Sequence, residues 1–229
     1  MNSSQPNNIC IIPARGNSKR IPRKNIKDFL GKPIIAYSIE AAIQSGLFST
    51  VMVSTDDHEI AEVAKEFGAE VPFLRSPVTS DDFSTLSDVI EEVKESYSQQ
   101  QVEFDYICCV LATAPFVTPE LLDQHYRLLI EKKYDSVRPV VRFSFPIQRA
   151  MRKNGDKVEM FNPQYLRTRS QDLEPAFHDA GMFYWMTYKS GLRGSNRGAI
   201  EVTESQAQDI DTVEDWELAQ FKFIYLQNK

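Results

Sequence analysis

Short apolar runs recur along the chain, separated by longer segments in which apolar residues return every three or four positions. Apolar runs without polar alternation are typical of strands buried on both faces, and the periodic segments are typical of amphipathic helices. The predicted strands are Ile9–Ile12, Val51–Val53, Val71–Leu74 at an edge, Tyr106–Leu111, Asp135–Val141 and Phe183–Trp185. The alternation of strands and helices predicts an α/β fold with a doubly wound, mostly parallel sheet.

Capping residues mark the ends of the predicted helices. Pro33 and Gly46 enclose the first helix. Asp56, with Glu59 three residues further on, predicts the N-cap of the second. Thr212 is expected to cap the last helix, Glu214–Tyr225. The other predicted helices are Leu86–Tyr97 and a segment from Thr118 to about Lys132.

Residues 142–180 interrupt this alternation. Asn154-Gly155 is a favoured two-residue turn, and its flanks predict a hairpin of Ala150–Lys153 and Lys157–Phe161. We therefore expect one domain over residues 1–229, with an antiparallel insertion at 142–180. The basic segment 189–198 is expected to be a loop.

Composition narrows the class of protein. The chain has 229 residues, a net charge of −6, 42% hydrophobic and 25% charged residues, which is ordinary for a globular protein. The acidic balance argues against nucleic acid as a partner. No apolar run approaches the roughly 20 residues of a membrane span, and the polar N-terminus lacks signal-peptide features, so we expect a cytoplasmic protein without a membrane partner. Cys10, Cys108 and Cys109 are expected to be buried thiols in a reducing compartment.

A basic loop follows the first strand. Six cations and no carboxylate fall between Pro13 and Lys27. Fixed positive charge and the backbone N–H groups of a turn containing Gly16 suit a polyphosphate. The alternative is a solvated basic face, but the loop follows a strand that is expected to be buried, in a chain that is acidic overall. Because neither G-x-G-x-x-G nor G-x-x-x-x-G-K-[ST] occurs there, a dinucleotide oxidoreductase or a P-loop NTPase is a poor fit.

Two carboxylates precede the last helix. If Asp209 and Asp211 lie in extended backbone, their side chains point to one side. Mg²⁺ commonly takes one or two carboxylates together with substrate phosphates and water, so the pair is a candidate metal site. A D-x-D pair alone favours a solvated, helix-capping turn, and the basic loop at the other end of the chain shifts the balance towards a metal site.

The basic loop resembles a motif of a known family. Residues 15–25, R-G-N-S-K-R-I-P-R-K-N, are similar to the R-G-G-S-K-x-[IL]-P-x-K-N loop of the CMP-sialic acid synthetases (acylneuraminate cytidylyltransferases). Similar segments recur at 31–33, 112–115, 168–177 and 209–212. The resemblance implies a nucleotide-diphospho-sugar transferase-like fold that transfers CMP from CTP to an acid sugar, with Mg²⁺ as cofactor. It also implies a homodimer in which the insertion crosses to the partner subunit.

The family's functional residues carry over to matching positions in this chain. The catalytic positions are Arg15, Lys24 and Asp211, and the metal ligands are Asp209 and Asp211. The nucleotide-binding positions are Ala14, Arg15, Gly16, Asn17, Ser18, Lys24, Asn25, Arg75 and Ser84. The sugar-binding positions are Leu111, Thr113, Arg169 and Gln171. Asn17 departs from the family's second glycine, and His178 is either an acid/base group or a structural histidine.

The resemblance also bears on the sugar. Sialic acid synthetases usually have glutamine at the position of Leu111, so the change favours a less polar, deoxy nonulosonic acid. The chain is most similar to the pseudaminic acid cytidylyltransferase branch, which implies a product used in flagellin glycosylation. Sialic, legionaminic or keto-deoxyoctulosonic acid remain alternative substrates, and a non-catalytic nucleotide-binding module is an alternative of another class.

Overall fold

The computed structural model describes residues 7–81 and 83–228; the polar residues 1–6, Asp82 and Lys229 lie outside the described part. The strands are β1 Asn8–Pro13, β2 Asp28–Phe29, β3 Lys32–Pro33, β4 Thr50–Ser54, β5 Tyr106–Val110, β6 Ser136–Arg142, β7 Met151–Asn154, β8 Lys157–Met160, β9 Phe177–Asp179, β10 Phe183–Thr187 and β11 Arg197–Val202. The α-helices are α1 Ile34–Ser45, α2 His58–Glu66, α3 Leu86–Gln99, α4 Pro119–Lys132 and α5 Val213–Gln227.

A seven-stranded sheet organises the fold. Its order is β11-β6-β10-β5-β1-β4, and β9 pairs with β6 outside this path. Strand β1 runs parallel to β4 and β5, and β11 runs parallel to β6, whereas β10 is antiparallel to both of its neighbours. The α/β class and the mostly parallel sheet are therefore confirmed, while the reversed β10 breaks the simple doubly wound order.

The core lies on both faces of the sheet. Along β1, Cys10 and Ile12 belong to a cluster with α1, α2, α4 and α5, and Ile9 and Ile11 belong to a cluster with α3. Successive side chains of a strand point to opposite faces, so a run without polar alternation is what a sheet covered on both sides requires. Among the described residues, no helix is both long and apolar enough to cross a membrane.

Three local predictions need correction. Val71–Leu74 is not a strand: the chain makes only an isolated bridge from Glu70 to Met52, and Pro72 has no N–H with which to extend the pairing. The N-cap of α2 is Asp57 rather than Asp56, because its carboxylate accepts from Ile60 N. The segment 189–198 is not only a loop, since β11 begins within it.

The insertion folds as the turn signal predicts. Strands β7 and β8 form a separate antiparallel pair, with Gly155 at φ 58° in the turn between them. Strand β9 then returns the chain to the main sheet beside β6. The hairpin prediction is thus confirmed, although the first strand is shifted by one residue and the second ends one residue earlier.

Candidate active site

The carboxyl ends of the parallel strands β1, β4 and β5 meet at one edge of the sheet, where ligands bind in open α/β folds. A cavity of about 350 Å³ lies there. It is lined by Pro13, Arg15, Ser18, Arg20, Lys24, Asn25, Arg75, Thr79, Asp81, Ser84, Thr85, Leu86, Val89, Leu111, Ala112, Thr113, Asp209 and Asp211. Residues that are remote in sequence therefore share one polar cavity.

The basic loop (residues 14–25) supplies one wall. Buried Asn25 donates from Nδ2 to the carbonyl oxygen of Arg15 at 2.9 Å, which joins the two ends of the loop. Arg15 donates from Nη1 to the carbonyl oxygen of Asp81 at 3.1 Å. Lys24 opens a short 3-10 turn, Lys24–Ile26, and its ammonium lines the cavity.

The two aspartates also line the cavity, next to the basic loop. The Nζ atom of Lys24 donates to the carbonyl oxygen of Ile210 at 2.5 Å and lies 3.5 Å from Asp211 Oδ1. The same carboxylate oxygen lies 2.7 Å from Nη2 of Arg20. The basic loop and the D-x-D segment are therefore in direct contact, as the enzymatic hypothesis requires.

The carboxylate pair is a candidate site for a divalent cation. Burial, and then the nearby charge of Asp211, raise the pKa of Asp209, because two like charges are held together in a partly desolvated place. In the described part of the chain, no group of three or more His, Cys, Asp or Glu side chains could hold a metal ion. Two protein carboxylates, with phosphate oxygens and water completing the shell, are a donor set that Mg²⁺ uses.

The segment that carries the aspartates is held by α5. Thr212 caps the helix and forms a capping box with Asp215. Asp215 also accepts from the backbone N–H of Asp211 at 3.1 Å. Lys222 lies further along the same helix. It donates to the carbonyl oxygens of Glu204 and Ala207 and to Gln208 Oε1, each at 2.9 Å. The capping prediction for Thr212 is confirmed, and these bonds fix where the carboxylates lie.

The predicted nucleoside residues also reach the cavity. Arg75 is buried and donates from Nε to Ser54 Oγ at 3.0 Å and from Nη2 to the Ser54 carbonyl oxygen at 2.5 Å. Burial lowers the pKa of its guanidinium, which stays cationic at neutral pH. The hydroxyl of Ser84 contacts Asp81 Oδ1 at 2.6 Å and the Val78 carbonyl oxygen at 2.9 Å. Both side chains are thus held in place by the protein itself.

The predicted sugar-binding positions divide into two groups. Leu111 and Thr113 line the cavity, whereas Arg169 and Gln171 lie in the insertion, outside its lining. Arg169 pairs with Asp172 at 2.7 Å, and Gln171 lines a separate cavity beside Phe143.

Ala14, Gly16 and Asn17 are not among the lining side chains. Ala14 is buried and Gly16 donates its N–H to Asp56 at 2.8 Å, so within this loop they shape the backbone.

Sequence reasoning left Arg20 unassigned. It lies in the basic loop, lines the cavity and pairs with Asp211. The sequence shows that Arg20 is a cation, but it does not show that its guanidinium contacts Asp211 in the fold. His178, left open above, lines a neighbouring cavity of about 400 Å³ that shares Asp209 and Asp211 with the first.

A cationic loop, a carboxylate pair and a polar cavity at the carboxyl edge of a parallel sheet are the arrangement expected of a nucleotidyltransferase. Comparisons with known proteins agree. A family model described as Cytidylyltransferase matches residues 9–186. The pseudaminic acid cytidylyltransferase of Campylobacter jejuni is 43% identical over 227 residues, 96% of this chain and 97% of that relative.

Two further comparisons broaden this result. The N-acylneuraminate cytidylyltransferase A of Danio rerio is 38% identical over 217 residues, 92% of this chain and 49% of that longer protein. A solved CMP:2-keto-3-deoxy-manno-octonic acid synthetase complexed with CTP matches 97% of this chain and 100% of its own, with a TM-score of 0.69 at 19% identity, and so shares the fold. The chain belongs to the cytidylyltransferase family.

Proposed function

We propose that the chain transfers CMP from CTP to the anomeric hydroxyl of pseudaminic acid and releases pyrophosphate. One observation carries the proposal: Lys24 of the basic loop and Asp211 of the carboxylate pair meet in a single cavity. The similarity to a pseudaminic acid cytidylyltransferase over nearly the whole of both chains supports the choice of substrates.

The chemistry needs positioning and charge neutralisation rather than a protein nucleophile. The sugar oxygen attacks the α-phosphorus in line, the bond from this phosphorus to the bridging oxygen breaks, and pyrophosphate leaves. The anomeric hydroxyl gives its proton to solvent water. Arg15, Ser18 and Lys24 bind the triphosphate. Arg75 and Ser84 hold the nucleoside. Asp209 and Asp211 would hold Mg²⁺, which supplies positive charge at the phosphate oxygens when bound.

Leu111 supports a deoxy acid sugar. Its N–H donates to the Met182 carbonyl oxygen and its own carbonyl oxygen accepts from Ser38 Oγ, both at 2.9 Å, so the backbone is fixed beside the cavity. An apolar wall offers no partner to an additional sugar hydroxyl, which disfavours the more polar sialic acid.

The enzyme is proposed to be a homodimer in which the insertion completes the sugar site of its partner. Exposed apolar side chains concentrate in this insertion, including Phe145 at 84%, Leu166 at 63% and Met151 at 62% exposure. A concentration of this kind marks a protein interface. Crossing to a second copy would also bring Arg169 and Gln171 to a sugar, which they do not reach in their own chain.

The cytoplasm is the proposed compartment. Cys10, Cys108 and Cys109 are free thiols buried in the sheet. Burial raises the pKa of each of them, so they remain protonated and packed, as suits a reducing environment.

A substrate panel tests the proposal. Pyrophosphate release is measured with CTP, Mg²⁺ and, in turn, pseudaminic, legionaminic, sialic and keto-deoxyoctulosonic acids. We expect the highest kcat/KM with pseudaminic acid. A higher value with another acid sugar would replace the substrate, and CTP binding without turnover on any of the four would favour the non-catalytic module.

A further inference from the structure

Arg23 adjoins Lys24 in the basic loop, yet its guanidinium turns away from the cavity. Its Nη1 and Nη2 atoms lie 2.5 and 3.0 Å from the two carboxylate oxygens of Asp57, and Nη2 lies 2.5 Å from Glu59. Its backbone is in the left-handed region, at φ 54°, which non-glycine residues adopt at a conformational cost. With the chain turned in this way, Lys24 lines the cavity while Arg23 reaches the start of α2.

The carboxylate of Asp57 binds both the start of helix α2 and the basic loop. Its Oδ1 accepts from Ile60 N at 3.0 Å and so caps α2, and both of its oxygens bind Arg23. The hydrogen bond from Arg23 is the main reason that the pKa of Asp57 falls to about 2. A bidentate pair of this kind fixes direction as well as distance, because the guanidinium fork matches the carboxylate.

The other end of the loop rests on the same turn. Gly16 donates its N–H to Asp56 Oδ1 at 2.8 Å. A Cβ atom at position 16 would lie 2.6 Å from Asp57 Oδ2, so only glycine leaves room for this carboxylate. Both ends of the basic loop therefore meet the β4–α2 turn, and the bond from Asn25 to Arg15 closes the ring.

We propose that Arg23 and Asp57 are positioning residues, whose pairing sets the separation of Arg15 and Lys24 around the triphosphate. The inference rests on the proposed function, since it assigns these residues to the CTP site. Neither side chain is placed in contact with substrate. Their effect comes from holding the loop in its binding conformation before CTP arrives, which removes an ordering cost from binding.

A purely electrostatic role makes the opposite prediction for one variant. If Arg23 acted only through its charge, Asp57→Asn would remove a negative charge near an anionic ligand and tighten CTP binding. If the pair positions the loop, the same change weakens binding. Asparagine is as good an N-cap as aspartate, so this substitution leaves α2 capped.

Four variants and a control decide between the two roles. They are Arg23→Met, Arg23→Lys, Asp57→Asn and the Arg23→Met/Asp57→Asn double. The matched control is Arg127→Met, which breaks the exposed Arg127–Asp123 pair on α4, away from the cavity and the insertion. CTP affinity is measured by calorimetry, and amide hydrogen exchange at Gly16 is measured without nucleotide. Thermal melting verifies that each variant is folded.

We expect each single variant to bind CTP roughly 10- to 100-fold more weakly than the wild type. The double variant should bind CTP no more weakly than the weaker-binding of the two single variants it combines, and the control should match the wild type. Exchange at Gly16 should accelerate in the same variants. Tighter binding by Asp57→Asn, full affinity in Arg23→Lys, or additive losses in the double would overturn the inference. A wild-type chain that binds no CTP would instead refute the proposed function. In that case, unchanged hydrogen exchange at Gly16 in all four variants would still refute the positioning role. Accelerated exchange at Gly16 would support the contact between the basic loop and the β4–α2 turn.

Discussion

The Lys24 ammonium lies 3.5 Å from a carboxylate oxygen of Asp211, across 187 positions of the chain. Lys24 begins the turn after the basic loop, and Asp211 ends the segment before α5. The lysine is mostly buried and the aspartate is half-exposed. A cation suited to phosphate and a carboxylate suited to a metal therefore hold each other in place in the lining of one cavity.

This contact predicts that either residue is needed for CMP transfer. Lys24→Met should lower kcat/KM by about 100- to 1,000-fold, because it removes a fixed positive charge from a triphosphate that gains charge on its leaving group. Asp211→Asn should cause a loss of similar size by removing a metal ligand. Pyrophosphate release measures both effects.

The control for these variants is Lys132→Met, at the exposed end of α4. It should retain the wild-type kcat/KM. Full activity in Lys24→Met or Asp211→Asn, with an intact far-UV spectrum, would remove the role assigned to that residue.

Much of the site could be predicted because a cluster of cations is unusual in an acidic chain. The basic loop stands out in an acidic chain, and its place after a buried strand indicated a ligand site. The expectation that Asp209 and Asp211 share a site with this loop came from the family resemblance, since residue patterns do not encode contacts between the two ends of a chain. The pairs from Arg20 to Asp211 and from Arg23 to Asp57 escaped prediction for the same reason.

The errors in the fold have local causes. Val71–Leu74 has the composition of a strand, but Pro72 prevents further pairing. Asp56 and Asp57 are adjacent and both can cap; in the fold, Asp56 accepts from the Gly16 N–H and Asp57 accepts from the Ile60 N–H at the start of α2. The reversed direction of β10 depends on the return of the chain from the insertion through β9, and strand periodicity is the same in either direction.

Leu111→Gln should shift the choice of sugar. We expect kcat/KM for pseudaminic acid to fall about 10-fold or more, since the amide would face a deoxy sugar with no group to bind, while the value for sialic acid relative to it rises. Pyrophosphate release with the two sugars gives the ratio. Leu111→Met, which keeps an apolar side chain of similar volume, should leave the ratio unchanged. An identical ratio in all three proteins would show that Leu111 does not select the sugar.

Lys222→Met should loosen the segment that carries the aspartates. The ammonium donates to three acceptors in residues 204–208, and its loss leaves partly buried carbonyl oxygens without this donor. We expect a loss of about 1–3 kcal/mol in the free energy of unfolding, measured in urea, and a fall in kcat/KM.

Lys65→Met, which breaks an exposed ion pair with Glu62 on α2, is the matched control and should change stability by less than about 0.5 kcal/mol. Equal stability of the Lys222 and Lys65 variants would mean that these three bonds contribute little to the fold.

His125 should make stability depend on pH. The side chain is fully buried against Phe183, its Nδ1 contacts the Leu121 carbonyl oxygen at 2.7 Å, and its Nε2 has no protein partner among the described residues. Burial lowers the pKa of the folded state to about 4, from an ordinary value near 6.5.

Above pH 6.5 the imidazole is neutral in both states, so its contribution to stability is fully present. As pH falls from 6.5 to 4, the unfolded chain takes up a proton that the folded chain resists, and stability falls by on the order of 3 kcal/mol. His125→Leu should remove this part of the pH dependence, and His58→Leu, at the exposed start of α2, should retain it. Urea unfolding at pH 7 and pH 4.5 measures both. If the wild type and His125→Leu lose the same free energy between these two pH values, the buried histidine does not govern the acid sensitivity of the fold.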